Sequence, residues 1–227
     1  MTSHSEKPVS RVLIVVTLAI FVLLIFFAFF FLRPGLPNPI HINTKGQPTI
    51  GYTKARVHVV VFEEPKCSNC REFHHQIYPK IKKNYIDKNK ITYTVIPVSF
   101  LPGSMPAAVA LLCVYNIDPL YPNNELYFAY LGYIYEHQPS ESQDWATIDR
   151  LIEFAQKTSP AIDTDKLRKC LEKQAYRVKI QQNTDYGQKI MGGVISTPTV
   201  YVNGIEAPLT FEAISDIIDE VAKTRRK

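Results

Sequence analysis

The chain has 227 residues, 46% hydrophobic and 21% charged, with 26 basic and 21 acidic side chains giving a formal charge of +5. This balance excludes a disordered chain, and four cysteines are too few for a disulfide-dense miniprotein. Only Thr224-Arg225-Arg226-Lys227 and pairs such as Lys82-Lys83 concentrate the charge, so no nucleic-acid partner is expected.

The apolar residues are unevenly spread. Val12 to Leu32 is a run of 21 residues without charge, proline or glycine, in which Thr17 alone is polar. As a helix it would measure about 30 Å, the thickness of a bilayer's hydrocarbon core. A cleavable signal peptide competes with this reading, because Lys7 and Arg11 precede the run. Its apolar stretch would be about 7 to 15 residues long and end at a small-x-small site. Here the run ends in Phe29, Phe30, Phe31 and Leu32, which favours an uncleaved transmembrane anchor over 12–32 behind a short head, 1–11. Counting Lys7 and Arg11 against Arg33 and Lys45 leaves the orientation nearly balanced. Residues 33–54 form a linker and N-terminal extension, opening with the stiff, proline-rich Arg33-Pro34-Gly35-Leu36-Pro37-Asn38-Pro39.

From residue 55 the chain reads as one domain. Val57 to Phe62 is a β-branched run that fits a buried strand. Phe73, Ile77, Ile81 and Tyr85 then recur every four residues, predicting an amphipathic helix from Ser68 to about Ile86, kinked at Pro79. Ile91 to Val98 is a second strand, which completes a βαβ unit with parallel strands. A helical block follows at about 104–190, with helices near Pro106–Asn116, Glu125–Glu136, Trp145–Lys157 and Asp165–Ile190, and with Asp144 and Thr164 as caps. Strand character returns at Thr199–Val202. Asn203-Gly204 turns it into Ile205-Glu206, and a last helix runs from about Phe211 to Lys223 behind the cap Thr210.

The sharpest chemical feature is Lys66-Cys67-Ser68-Asn69-Cys70-Arg71, a CxxC where a strand gives way to a helix. The amide groups and partial positive charge of a helix start favour a thiolate at Cys67, with cationic character added by Lys66 and Arg71. Cys70, one turn inward, can resolve a mixed disulfide. A CxxC can also be half of a zinc site, but Cys113 and Cys170 stand alone and no second CxxC exists. His74 shares a helix face with Cys70, so a metal carrier is a further reading, against solvated histidines on an exposed face. Pro198, just before a strand, suits either a cis peptide bond or an ordinary trans proline.

Over about Gln47 to Ala222 these features resemble the membrane-anchored DsbA-like (BdbD-like) thiol-disulfide oxidoreductases of the thioredoxin superfamily. The resemblance is carried by Val59 to Phe73 around the CxxC, Ile77-Tyr78-Pro79, the helical block, Thr197-Pro198-Thr199 and Asn203-Gly204. It implies an α/β thioredoxin fold over 55–227 with an inserted helical subdomain. Cys67 falls on the nucleophile, Cys70 on the resolving cysteine and Pro198 on the cis-proline. Thr197, Ser68 and Asn69 fall on substrate-contacting positions. No metal or cofactor is implied beyond a redox-active Cys67–Cys70 disulfide. The dipeptide Ser68-Asn69 departs from the Pro-His of DsbA, which implies a weaker oxidant, since stabilising the reduced form drives electron uptake. Many relatives carry an acid at the position of Val61. Glu64 matches an acid some carry three residues before the first cysteine, and so is a proton-transfer candidate, against a plain exposed carboxylate. Cys113 and Cys170 suit small buried residues, yet similar positions in some relatives form a structural disulfide, which here would remove roughly 4 kcal/mol of unfolded-state freedom.

The expected activity is extracytoplasmic disulfide introduction into reduced secreted or envelope proteins. The expected enzyme is a monomer, reoxidised by a DsbB-like membrane quinone reductase and tethered by its helix to the outer or periplasmic side of the cell membrane. The alternatives are the same site run as a reductase or isomerase, a copper or zinc delivery protein, and a redox-inactive structural anchor.

Overall fold

The computed structural model describes residues 11–31 and 37–224, in two units, Met1–Pro37 and Asn38–Lys227. Helix α1, Arg11–Phe31, belongs to the first unit. Its described side chains, 13–27, cover about 22 Å of helix, short of a bilayer core. Among the described residues no helix is long and apolar enough to cross a membrane. The expected span over 12–32 therefore lies partly outside the described residues, as do most of the head 1–11, Arg33 to Leu36 of the spacer and the basic end Arg225 to Lys227.

The second unit is built on five strands: β1 (Thr49–Gly51), β2 (Val57–Glu63), β3 (Ile91–Pro97), β4 (Thr199–Val202) and β5 (Ile205–Ala207). Their order is β1-β3-β2-β4-β5, with β2 and β3 parallel and every other pair antiparallel. Strand β2 is central and, beyond the exposed His58, buried on both faces, which explains its continuous apolar run Val59–Phe62. One face buries Val60, Phe62, Ile96, Val98 and Tyr201 against Tyr186 and Ile190. The short β1 carries no sequence signal of its own, because it exists through its pairing with β3, Thr49 opposite Thr94.

The stretch after the CxxC is broken rather than merely kinked. Helix α2 (Ser68–Gln76) ends at Ile77, α3 (Tyr78–Ile81) starts afresh, and a π-helical turn, Lys82–Ile86, follows. Pro79 cannot donate to the carbonyl of His75 and its ring crowds that turn, so it is accommodated at the start of a new helix.

The helical block comprises α4 (Met105–Tyr115), α5 (Asn124–His137), α6 (Ile148–Thr158), α7 (Thr164–Glu172) and α8 (Arg177–Ile190). Two expected caps are displaced. Thr147, not Asp144, accepts from the Arg150 amide, because Trp145 and Ala146 are buried in the approach rather than helical. Asp163, not Thr164, accepts from the Lys166 amide, a carboxylate being at least as good a cap as a hydroxyl. The single helix expected over 165–190 is two, separated at Lys173–Tyr176, where Gln174 adopts φ +50. The break lets α7 pack on α4 and α6 while α8 lies against β3. Cys113 on α4 and Cys170 on α7 are bonded, with an S–S distance of 2.06 Å.

The β4–β5 hairpin turns on Asn203 (φ +47) and Gly204 (φ +84), the two positive values a tight two-residue turn requires. A Cβ on Gly204 would collide with the Ile40 carbonyl, whose own amide donates to Gly204 O at 2.9 Å. Thr210 caps α9 (Phe211–Thr224) by accepting from the Ala213 amide at 3.2 Å. Helix α9 packs on β2, β4 and β5.

Candidate active site

The site forms where β2 ends. Cys67 is the N-cap of α2, in extended backbone conformation, and its Sγ lies 3.6 Å from the Thr197 carbonyl oxygen. The Thr197–Pro198 peptide bond is cis. Cys70, one turn into α2, is fully buried, while Cys67 retains 7% exposure. The Glu64 amide donates to Cys70 Sγ at 3.4 Å. Both cysteines are free thiols in this structure.

These surroundings drive the two thiols apart. The Cys70 thiol, followed by the Cys70 amide, the Thr197 side chain and the Asn69 amide, favours a thiolate at Cys67 and brings its pKa down to about 6, against the opposing effect of burial. Burial, and then the neighbouring Cys67, push Cys70 well above the ordinary thiol range. The site is therefore set up for one thiolate and one thiol at neutral pH. Lys66 does not stand free beside the sulfur. Its Nζ donates to the Pro102 carbonyl at 2.6 Å and the residue is 2% exposed. Arg71 Nη1 reaches the Gln138 carbonyl at 3.4 Å.

Two carboxyls lie beneath the thiols. Glu64 is fully buried, not a plain exposed carboxylate; its Oε2 accepts from the Lys66 amide at 2.8 Å, and its Oε1 is left without a hydrogen-bond partner. Its neighbour Glu63, which the sequence reading passed over, accepts from Tyr135 at 3.0 Å and from Tyr93 at 3.4 Å. Burial raises Glu63 to about 7 and Glu64 to about 8, and the Cys67 charge adds to both. Two adjacent acids, separated from the CxxC by Pro65 and Lys66, were the available signal. What no pattern could supply was the pair of tyrosines, brought from β3 and α5.

His74 is not on an exposed face. Its ring stacks on Tyr78 at 5.0 Å and meets Tyr135 at 5.3 Å, and burial lowers its pKa to about 4, so it is neutral. Among the described residues no group of three or more His, Cys, Asp or Glu side chains is placed to hold a metal ion. Ser68 and Asn69 open α2. Asn69, Glu72, Phe73, Ile77, Pro198 and Leu209 line a groove of about 360 Å³ beside the CxxC. Glu141, from the loop after α5, accepts from the Ser68 amide at 2.8 Å, a contact without any sequence signal.

A mixed five-stranded sheet carrying a CxxC at a helix start, against a cis-proline loop, defines a dithiol-disulfide oxidoreductase. The family model described as thioredoxin matches residues 43–220. The chain is 32% identical over 184 residues to "Disulfide bond formation protein D" of Bacillus subtilis, covering 80% of this chain and 79% of that one. The crystal structure of Chlamydia trachomatis DsbA superposes with a TM-score of 0.75 at 38% identity, covering 83% of this chain and 98% of that chain. Oxidised BdbD from Bacillus subtilis gives 0.72 at 30% identity, covering 83% and 97%. The chain belongs to the thioredoxin family and, within it, to the DsbA-like thiol-disulfide oxidoreductases.

Proposed function

We propose that the chain is an extracytoplasmic disulfide oxidase that passes a Cys67–Cys70 disulfide to reduced secreted or envelope proteins. The observation that carries this reading is the split between the thiols, Cys67 at about 6 and Cys70 far higher. A stabilised thiolate stabilises the reduced protein, and a more stable reduced form makes the disulfide more oxidising.

In the forward reaction a substrate thiolate attacks Cys67 Sγ. The S–S bond breaks and the electron pair leaves on Cys70, which takes up a proton. A second substrate thiolate then attacks the substrate sulfur of the mixed disulfide and releases Cys67 as the thiolate. Two electrons have passed to the enzyme and one disulfide to the substrate. Glu64, whose amide touches Cys70 Sγ, is proposed to supply the proton for Cys70, being largely protonated at neutral pH, with Glu63 beside it, partly protonated there, as a second source. The groove along Asn69, Phe73, Pro198 and Leu209, together with Ser68 and the Thr197 backbone, would receive an extended substrate segment.

The redox group is the cysteine pair itself, with no added cofactor or metal. We further propose that residues 12–32 anchor the enzyme as a single span. The unbroken apolar sequence and the helix at Arg11–Phe31, with every described side chain exposed, support this. The head 1–11 would then be cytoplasmic and the domain outside, acting as a monomer recycled by a DsbB-like membrane quinone reductase.

The test is the equilibrium potential of Cys67–Cys70 against glutathione, with alkylation of the reduced protein followed across pH. A potential well above the cytosolic glutathione poise, with Cys67 alkylated at a midpoint near pH 6, is expected. A thioredoxin-like potential near about −270 mV would assign the site to the reductase direction instead.

A further inference from the structure

A helix leaves its first amides without intrahelical partners, and at α2 these are divided between two users. The Asn69 and Cys70 amides favour the Cys67 thiolate. The Arg71 amide closes the first helical bond on the Cys67 carbonyl at 3.1 Å. The Ser68 amide, next to Cys67 itself, donates to Glu141 Oε2 at 2.8 Å. Glu141 stands between α5 and α6, so a carboxylate from the helical insertion caps the helix that carries the CxxC.

We infer that Glu141 is a positioning residue that tunes the redox potential: by holding the Ser68 amide and setting a carboxylate at the helix end used by the Cys67 thiolate, it makes the dithiol less oxidising. This rests on the reading of Cys67 as the thiolate of the reduced site.

The physical basis is competition for one partial positive charge. A helix terminus stabilises an anion placed on it, and two anions there repel each other. In the oxidised protein Cys67 carries no charge, and Glu141 has the terminus to itself. In the reduced protein the terminus is shared, so Glu141 disfavours the reduced state selectively. Glu141 is ionised at neutral pH, held below the usual carboxylate range first by the Ser68 amide, then by the Ser68 side chain, with Arg71 and Lys66 adding less. The two cations flanking the motif thus act on Glu141. Glu63 and Glu64 are buried and Glu72 lies further along α2; the Ser68 amide is held by Glu141. Glu141 is exposed, so its influence is screened by salt.

The test compares E141Q with E141A in the full chain. Glutamine keeps an oxygen for the Ser68 amide and removes only the charge. E141Q is expected to shift the glutathione equilibrium toward the reduced enzyme by about three- to tenfold, about 15–30 mV for a two-electron couple, and to lower the alkylation midpoint of Cys67. The shift should shrink between low and 1 M salt. If Glu141 were only a structural cap, E141Q would match the parent in potential and midpoint, and E141A would lose thermal stability alone. That result overturns the inference. If alkylation of the parent does not occur at Cys67 with a midpoint near pH 6, the reading of the thiolate falls, and the inference falls with it.

Discussion

Cys67 and Cys70 lie three residues apart at the start of one helix, whereas Cys113 and Cys170 are 57 residues apart and tie α4 to α7. The first pair is surrounded by groups that respond to charge: helix amides, two buried carboxyls and a carbonyl 3.6 Å from the leading sulfur. The second pair joins two packed helices, with Cys113 buried within the apolar stretch Ala107–Tyr115 and Cys170 half-buried on α7. The same side chain is thus a reacting group where helix amides and buried acids converge on it and a staple where two packed helices bring a pair together.

The largest effect expected from breaking this contrast is at Cys67. Cys67→Ser should abolish dithiol oxidation, a loss of at least about 10³-fold in the rate of refolding a reduced substrate, because a hydroxyl cannot form the mixed disulfide. Retained activity would move the nucleophile elsewhere. The converse variant, Cys113→Ser with Cys170→Ser, should lower unfolding free energy by about 2–4 kcal/mol in urea while leaving the redox potential unmoved. A changed potential would show that the two pairs are coupled.

A smaller effect comes from the buried acids. An unfolded glutamate ionises near the ordinary value of 4.5, whereas folded Glu63 and Glu64 hold their protons to about 7 and 8. Between these limits the folded state binds more protons, so their contribution makes stability fall as pH rises from about 4.5 to about 8. Glu63→Gln should remove part of that slope, giving a relative gain on the order of 1–3 kcal/mol at pH 8 over pH 5, read from denaturation of both reduced proteins. An unchanged slope would mean that Glu63 titrates normally. The finest effect is on the potential itself. Below the Cys67 value of about 6 reduction takes up two protons, and above it one, so the potential should fall by about 59 mV per pH unit below pH 6 and by about 30 mV above it. A single slope through pH 6 would contradict the thiolate.

Much of the fold was legible because its signals are local. Val57–Glu63, the Asn203-Gly204 turn, the Thr210 cap and the strand-to-helix position of the CxxC each follow from residues adjacent in the chain. Local signals misplaced the caps of α6 and α7, since Asp144 or Thr147 and Asp163 or Thr164 all suit the role, and burial of Trp145 helped decide where α6 begins. The break between α7 and α8 was invisible for a related reason. The sequence there remains helix-compatible, and the turn is imposed by what each half packs against.

By itself, the sequence determined the dithiol motif, its place at a helix start, the chain order of β2, β3, β4 and β5 around a helical block, and the unbroken apolar run over 12–32. These depend on spacing and side-chain type within a few residues. Only the tertiary structure decided which distant groups meet the thiols. Thr197 arrives 130 residues later, Tyr93 and Tyr135 close over Glu63, and Glu141 takes the Ser68 amide. Their effect depends on burial and on distances of about 3 Å, which chain spacing does not encode. The motif therefore named the chemistry, and the surroundings set how readily each sulfur gives up its proton.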